Sequence, residues 1–400
     1  MIRKLLSPEV QKYIREHQRD DPFLLSLNKK KEDGFPLDEA IRQIQSLQKA
    51  KSKTPSWTEK ENIVWPPPVS IEQSSSEVTA RFKASLIRGK SLIDLTGGMG
   101  VDTSFFSDRF EEVLYVEPVE NLCELAHHNF KILGKTNIKI YRSTAENFLH
   151  QNLTSSVEKK LFDGVFIDPS RRSEDKKVFR ISDCFPDLYE IIPSCMNRAA
   201  QILVKLSPLV DLSLLIRDFD PADIWVVSVK GEVKEVLFLI DKGRRSAGIH
   251  AIELNKNGGS SSEFTFFYKE EIESKSDFSL PRKYLYEPNA AILKAGAFKL
   301  VGKRYNLKKL HKHTHLYTSD KLVVEFPGKA LIIKEVVKPN KGDILRQFPN
   351  KQANVISRNY PLSPSQLKKK FALKDGGDQF LIGTTLTNGK RVLLWCERAF

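Results

Sequence analysis

The run Leu92-Ile93-Asp94-Leu95-Thr96-Gly97-Gly98-Met99-Gly100-Val101-Asp102 constrains the fold of this chain more than any other segment. A short apolar stretch of strand character enters a glycine-rich turn, and a helical pattern continues through Thr103-Ser104-Phe105-Phe106. A strand followed at once by a helix begins a parallel sheet, because parallel neighbours need a crossover between them. Glycine in the turn lets a ligand approach the main chain where a side chain would block it. The spacing departs from the G-x-G-x-x-G of dinucleotide-binding enzymes and disfavours a pyrophosphate cofactor. Asp94 argues the same way, since a carboxylate at the strand end suits an ammonium group and repels a pyrophosphate.

The alternation continues along the chain. Val113–Val116, Ile138–Tyr141, Val165–Ile167 and Ile202–Leu206 read as further strands, and Val119–Leu133 as a helix with Leu122, Leu125, Ala126 and Phe130 on one face. The expected fold class is therefore α/β, a mostly parallel sheet with helices on both faces. Ile224–Val229 and Val233–Ile240 read as a hairpin that gives this sheet an antiparallel edge. The sheet domain occupies 71-277. Before it, 1-70 form an N-terminal helical region that starts at Ser7-Pro8-Glu9 and ends in the stiff connector Trp65-Pro66-Pro67-Pro68. After it comes an α+β region, with a helix over Asn289–Gly296 and strands at Leu322–Phe326, Ala330–Val337, Asn354–Ser357, Gln379–Thr385 and Arg391–Glu397.

Charge is spread unevenly over these regions. The formal net charge is +14, and from Leu280 onward there are roughly three Lys or Arg for each Asp or Glu, a concentration of the kind nucleic-acid binding uses. Lys299, Lys303, Arg304, Lys308, Lys309 and Lys312 cluster around Tyr305 and Leu307. Basic residues interleaved with an aromatic suit a phosphate backbone with unpaired bases. His311, His313 and His315 would share one face of a strand, yet no cysteine or fourth ligand is near, so no metal is expected. Lys368-Lys369-Lys370 reads first as a charged helix end. No apolar run of membrane-spanning length occurs, and the N-terminus has no signal-peptide pattern. The scattered Cys123, Cys184, Cys195 and Cys396 point to the cytoplasm.

Two further segments carry chemistry. Glu117 ends the second strand about 20 residues after the glycine turn, where a carboxylate can accept hydrogen bonds from ribose hydroxyls. Asp168-Pro169-Ser170-Arg171-Arg172 ends the fourth strand, and ligands of such sheets bind outside the carboxyl ends of strands. Asp168 can accept a hydrogen bond from a nucleophile, Pro169 fixes the turn, and Arg171 and Arg172 can hold a phosphate or a base edge. A loop whose arginines pair with Glu174 or Asp175 is the structural alternative.

Together these segments resemble class I S-adenosylmethionine-dependent methyltransferases with a Rossmann-like sheet. The resemblance implies that Asp94, Thr96, Gly97, Gly98, Gly100 and Asp102 frame the methionine part of the cofactor and Glu117 the ribose. It places Ala145 and Glu146 beside the adenine and Asp168 at the methyl group. Relatives acting on base amino groups carry Pro-Pro and an aromatic after the acid; here Ser170 and Arg171 stand there instead. A narrower resemblance covers nearly the whole chain. Glu72-Gln73-Ser74-Ser75-Ser76-Glu77-Val78-Thr79-Ala80-Arg81-Phe82-Lys83, Asp-Pro-Ser-Arg-Arg and Tyr286-Glu287-Pro288-Asn289-Ala290-Ala291-Ile292 occur in the order of bacterial methyltransferases with a ferredoxin-like module, here 278-320, and a THUMP-like domain, here 321-400. It implies that Gln73, Ser74 and Glu77 line the cofactor pocket or its lid, and that the substrate is RNA, foremost transfer RNA. Methyl transfer to a protein or small acidic metabolite, and RNA binding without turnover, are the alternatives.

Overall fold

The computed structural model describes residues 2–27, 34–154, 161–171, 180–244 and 247–400. Two compact units divide the chain: Met1–Ile224 with Glu235–Ser246 and Leu254–Gly259, and Trp225–Lys234 with Ala247–Glu253 and Ser260–Phe400.

In the first unit Ser7 caps the helix Pro8–His17, its Oγ accepting from Val10 N. Val10 and Ile14 of that helix pack with Ala40 and Ile44 of the helix Leu37–Lys53. The proline-rich connector lies against the same helix: Gln43 Nε2 donates to the Trp65 carbonyl at 2.7 Å and Ser46 Oγ to that of Pro66 at 2.8 Å. Pro68 then starts the helix Pro68–Gln73, the one helical position where a missing N–H costs nothing. The N-terminal helices thus belong to the same unit as the sheet.

The strands of the first unit are β1 (Ser91–Asp94), β2 (Glu112–Glu117), β3 (Ile138–Arg142), β4 (Phe162–Ile167), the short β5 (Ser170–Arg171) and β6 (Cys184–Phe185), β7 (Ala199–Leu206), the start of β8 (Asp223–Val229) and most of β9 (Glu232–Asp241). β1 is parallel to both β2 and β4, β2 to β3, and β4 to β7. The chain therefore leaves β1 on one side, returns, and continues on the other, which opens a crevice beyond the carboxyl ends of β1 and β4. The expected antiparallel edge is corrected. β9 runs antiparallel beside β7, and Ala222 N at the entrance to β8 donates to Leu239 O of β9 at 2.8 Å. The returning strand is inserted between β7 and β8, because Val236–Ile240 is apolar on both faces and is buried on both.

The second unit contains β10 (Gly248–Leu254), β11 (Ser260–Phe267), β12 (Tyr284–Pro288), β13 (Lys308–His311), β14 (Thr314–Ser319), β15 (Gly328–Val337), β16 (Asn354–Arg358), β17 (Gln379–Thr385) and β18 (Arg391–Arg398). The last seven form one sheet in the order β13-β14-β12-β15-β18-β17-β16. One core joins Leu285, Leu310, Leu316, Leu331, Phe380 and Leu394; another packs Leu381 and Leu393 under the helices Lys341–Gln347 and Pro364–Phe371.

Two expectations fail here. Leu322–Phe326 is not a strand, since the buried Tyr286 hydroxyl donates to Lys321 O at 3.0 Å and accepts from Val323 N at 3.0 Å, fixing that backbone as a turn. The three histidines do not share a strand either: Lys312 and His313 form the turn of the β13–β14 hairpin.

Asn129, 1% exposed on the helix Glu120–Ile132, accepts from Val64 N at 3.0 Å and donates to Val64 O at 2.8 Å, pairing the N-terminal region to that helix through both backbone groups of one residue. Asn129→Ala strands both peptide groups, and urea unfolding should show a loss of about 2 kcal/mol. An unchanged midpoint would mean that the contact contributes nothing.

Candidate active site

The turn after β1 is shaped by what lies beneath it. Gly97 has no room for a side chain: a Cβ there would sit 2.2 Å from the Tyr115 ring. Gly100, at φ +84°, would meet Phe130 at 2.6 Å. Gly98 is different, for it adopts φ +54° and its Cβ position has only Thr96 O within 4 Å, at 3.8 Å. Two of the three glycines are thus dictated by packing, and Gly98 alone presents an open face.

Asp94 is 1% exposed and holds the turn from inside. Its Oδ1 accepts from Thr96 N at 3.0 Å and from Thr96 Oγ1 at 3.4 Å, and its Oδ2 accepts from Thr103 Oγ1 at 2.5 Å. Burial pushes its carboxyl up to about 7; the hydrogen bonds from Thr103 and Thr96 pull against this, and Asp102 and Asp168 add to it. Glu117 closes the turn from β2, with Oε2 accepting from Gly98 N and Oε1 from Val119 N, both at 2.9 Å. Ser143 N, just past β3, donates to Glu117 O at 3.2 Å. That brings Ala145, buried at the start of the helix Ala145–Thr154, and the half-buried Glu146 to the same sheet end.

Asp168 is tied to the turn through its backbone, whose N–H donates to Thr96 Oγ1 at 2.7 Å. Its Oδ2 accepts from Lys205 Nζ of β7. Burial pulls the Lys205 ammonium down, but Asp168, Glu235 and Asp102 outweigh it and hold the group above its ordinary value. Pro169 leads into a two-residue ladder in which Ser170 faces Phe185 and Arg171 faces Cys184. Arg172 and the Arg171 side chain lie outside the described residues.

The segment before the sheet is placed less simply. Gln73 ends the helix Pro68–Gln73, and Ser74 Oγ donates to Ile71 O at 2.8 Å. Glu77 Oε1 accepts from Ser56 N at 2.7 Å, which commits that carboxylate to the N-terminal region. Ser75, which the motif contains without an assigned role, is instead the residue that reaches Asp102, donating to Oδ2 at 2.7 Å. Lys83, Lys205 and Glu235 were also missed. Their signal was present: Lys83 and Lys205 interrupt otherwise apolar faces, in Ala80-Arg81-Phe82-Lys83-Ala84 and Ile202-Leu203-Val204-Lys205-Leu206. No group of His, Cys, Asp and Glu among the described residues could hold a metal ion.

In the second unit much of the basic cluster is structural. Lys299 Nζ donates to Ile272 O, Arg304 pairs with Glu270, Lys309 is buried, and Lys368 pairs with Asp375. Lys303 and Lys312 stay exposed. His315 stacks on Phe298 at 3.6 Å, and burial brings its imidazole down to about 4. The Tyr286-Glu287-Pro288-Asn289 signature is a joint. Glu287 accepts from Arg358 Nε at 2.8 Å and from Lys329 Nζ at 3.0 Å, while Asn289 Oδ1 caps the helix Ala290–Ala295.

The Asp94 carboxyl sets a pH dependence. The folded chain keeps a proton there that the unfolded chain releases near 3.8, so this group's contribution to stability falls as pH rises from about 4 to about 7 and is level beyond. From about pH 5 to about pH 8, wild type should lose on the order of 2 kcal/mol more than Asp94→Asn in urea unfolding. Parallel pH curves would contradict a raised carboxyl.

Family models match a ferredoxin-like domain at 284–327 and a THUMP-like domain at 328–398. The chain is 22% identical over 311 residues, 76% of its own length and 80% of the relative's, to an uncharacterized S-adenosylmethionine-dependent methyltransferase of Mycobacterium tuberculosis. A crystal structure from Porphyromonas gingivalis, assigned as a methyltransferase, is 31% identical, covers 98% of both chains and superposes with a TM-score of 0.86. No helix among the described residues is long and apolar enough to cross a membrane. With its sheet order, its glycine turn and both C-terminal domains in place, the chain belongs to the family of S-adenosylmethionine-dependent methyltransferases that carry ferredoxin-like and THUMP-like domains.

Proposed function

We propose that the chain transfers the methyl group of S-adenosylmethionine to RNA, with transfer RNA the foremost class. The THUMP-like match at 328–398 carries the RNA half of this reading. It coincides with 24 lysines and arginines against eight acidic residues from Leu280 onward. The open face at Gly98, between the Asp94 and Glu117 carboxylates, fits the cofactor.

In this reading Asp94, Thr96, Gly97, Gly98, Gly100 and Asp102 frame the amino-acid end, Glu117 the ribose, and Ala145 with Glu146 the adenine, while Gln73, Ser74 and Glu77 border the pocket. Both Glu117 oxygens already accept one backbone N–H each, and a carboxylate has acceptor sites left for two hydroxyls. S-adenosylmethionine supplies a methyl group already activated on its sulfonium. The protein's task is positioning, bringing the nucleophile to about 3 Å in line with that methyl. Among the described residues Lys205 occupies Asp168 Oδ2, and Oδ1 is the atom that accepts a hydrogen bond from the acceptor nucleotide. Pro169 and Ser170 set the course of the segment, and Arg171 and Arg172 anchor a substrate phosphate.

Purified protein, methyl-labelled S-adenosylmethionine and total RNA from a host strain lacking the gene should give label in a defined RNA fraction. Label confined to protein or small molecules would replace this reading with the alternative substrates. The double variant Lys303→Glu/Lys312→Glu should bind that RNA about tenfold more weakly with a shallower salt slope. Identical binding would take these lysines out of the interface.

A further inference from the structure

At the carboxyl ends of β1, β4 and β7 the first unit gathers a set of charges, Lys83, Asp94, Asp102 and Glu235 buried and the Lys205–Asp168 pair part-exposed, that pairing alone does not balance. Lys83, fully buried on the helix Glu77–Leu86, donates to Glu235 Oε2 at 2.9 Å, to Glu235 Oε1 at 3.2 Å and to Ser75 Oγ at 2.8 Å. Its Nζ also lies 3.1 Å from Asp102 Oδ1. Asp102 and Glu235 are 8% and 3% exposed. Lys205 pairs with Asp168 and also feels Glu235 and Asp102, while Asp94 feels Asp102 and Asp168. These six side chains therefore act as one electrostatic unit. Two ammonium groups face the three carboxylates of Asp102, Glu235 and Asp168, with Asp94 a fourth acid beside them. With Asp94 protonated these six side chains sum to one negative charge, and with Asp94 ionised to two.

An uncompensated charge inside a protein is costly, and a cation bound next to it recovers that cost. The methyl donor and its product differ by one charge: S-adenosylmethionine carries a sulfonium, and S-adenosylhomocysteine a neutral thioether. We infer that this network selects the charged donor over its neutral product, with the buried Glu235 as the residue that sets the surplus. The inference rests on the cofactor assignment above, and it assigns a specificity role to a residue on the inserted strand β9. The surplus also favours product release, because the site holds the cofactor less firmly once its positive charge has gone.

Calorimetry on the intact protein tests this without any methyl acceptor, using S-adenosylmethionine, S-adenosylhomocysteine and sinefungin, in which an ammonium-bearing carbon replaces the sulfonium. At an effective dielectric constant of about 20, a single charge several ångströms away changes affinity about tenfold or more. Wild type should bind both cationic ligands at least about tenfold more tightly than the thioether. Glu235→Gln should bring that ratio near unity. The double variant Lys83→Met/Glu235→Gln removes one charge of each sign and should restore the ratio, even if it melts earlier than wild type. Equal wild-type affinity for all three ligands would overturn the inference. So would a Glu235→Gln loss shared by all three that the double variant deepens, since that marks Glu235 as structural. Binding of none of the three would remove the cofactor assignment itself, an outcome distinct from the other two.

Discussion

The shape of the site depends on one constraint, the packing of the β1 turn onto the aromatic rings below it. Tyr115 occupies the space where a Gly97 side chain would stand, and its hydroxyl donates to Gly98 O at 2.6 Å. Phe130 does the same under Gly100. With the turn pressed flat, Gly98 N meets Glu117, Thr96 Oγ1 meets the Asp168 backbone, and Asp94 finds donors from both the turn and the following helix. Residues from three strands converge because one loop has no freedom to lift. Raising it by an ångström would break each of these bonds together.

Burial then gives the converging groups their character. Asp94 lies where water cannot solvate it, so its carboxyl titrates near neutrality. Lys205 is largely enclosed, yet three carboxylates keep it an ammonium. Burial works against the charged form of both groups; at Asp94 the neighbouring acids add to it, whereas at Lys205 the carboxylates overcome it. Packing and electrostatics are therefore not separable here, since the close fit that fixes the turn also excludes the water.

What could be read from the residues was local. The strand, glycine turn and helix around Asp94, the carboxylate at Glu117 and the placement of Asp168 all follow from order along the chain. So does the helix Ala290–Ala295, with Asn289 before it and Gly296 after it. What escaped the sequence is long-range. Lys83 visibly breaks an apolar helix face, but its partner Glu235 stands 152 positions later. Leu322–Phe326 has the apolar content of a strand, but a tyrosine hydroxyl 37 positions earlier takes its backbone. Periodicity describes which faces are apolar and is silent about which distant polar group will claim a donor.

The joint at Glu287 has a consequence for how the C-terminal half can be inherited. The ferredoxin-like and THUMP-like matches abut at 327 and 328, and that point falls between β12 and β15, which pair along five residues from Tyr284 to Pro288. The boundary between the two domains therefore runs through the interior of a continuous sheet. Separating them would uncover a raw strand edge on each side, the surface that recruits foreign strands and drives aggregation. Neither part is a portable cassette, and the pair is constrained to be gained, lost or exchanged as one piece.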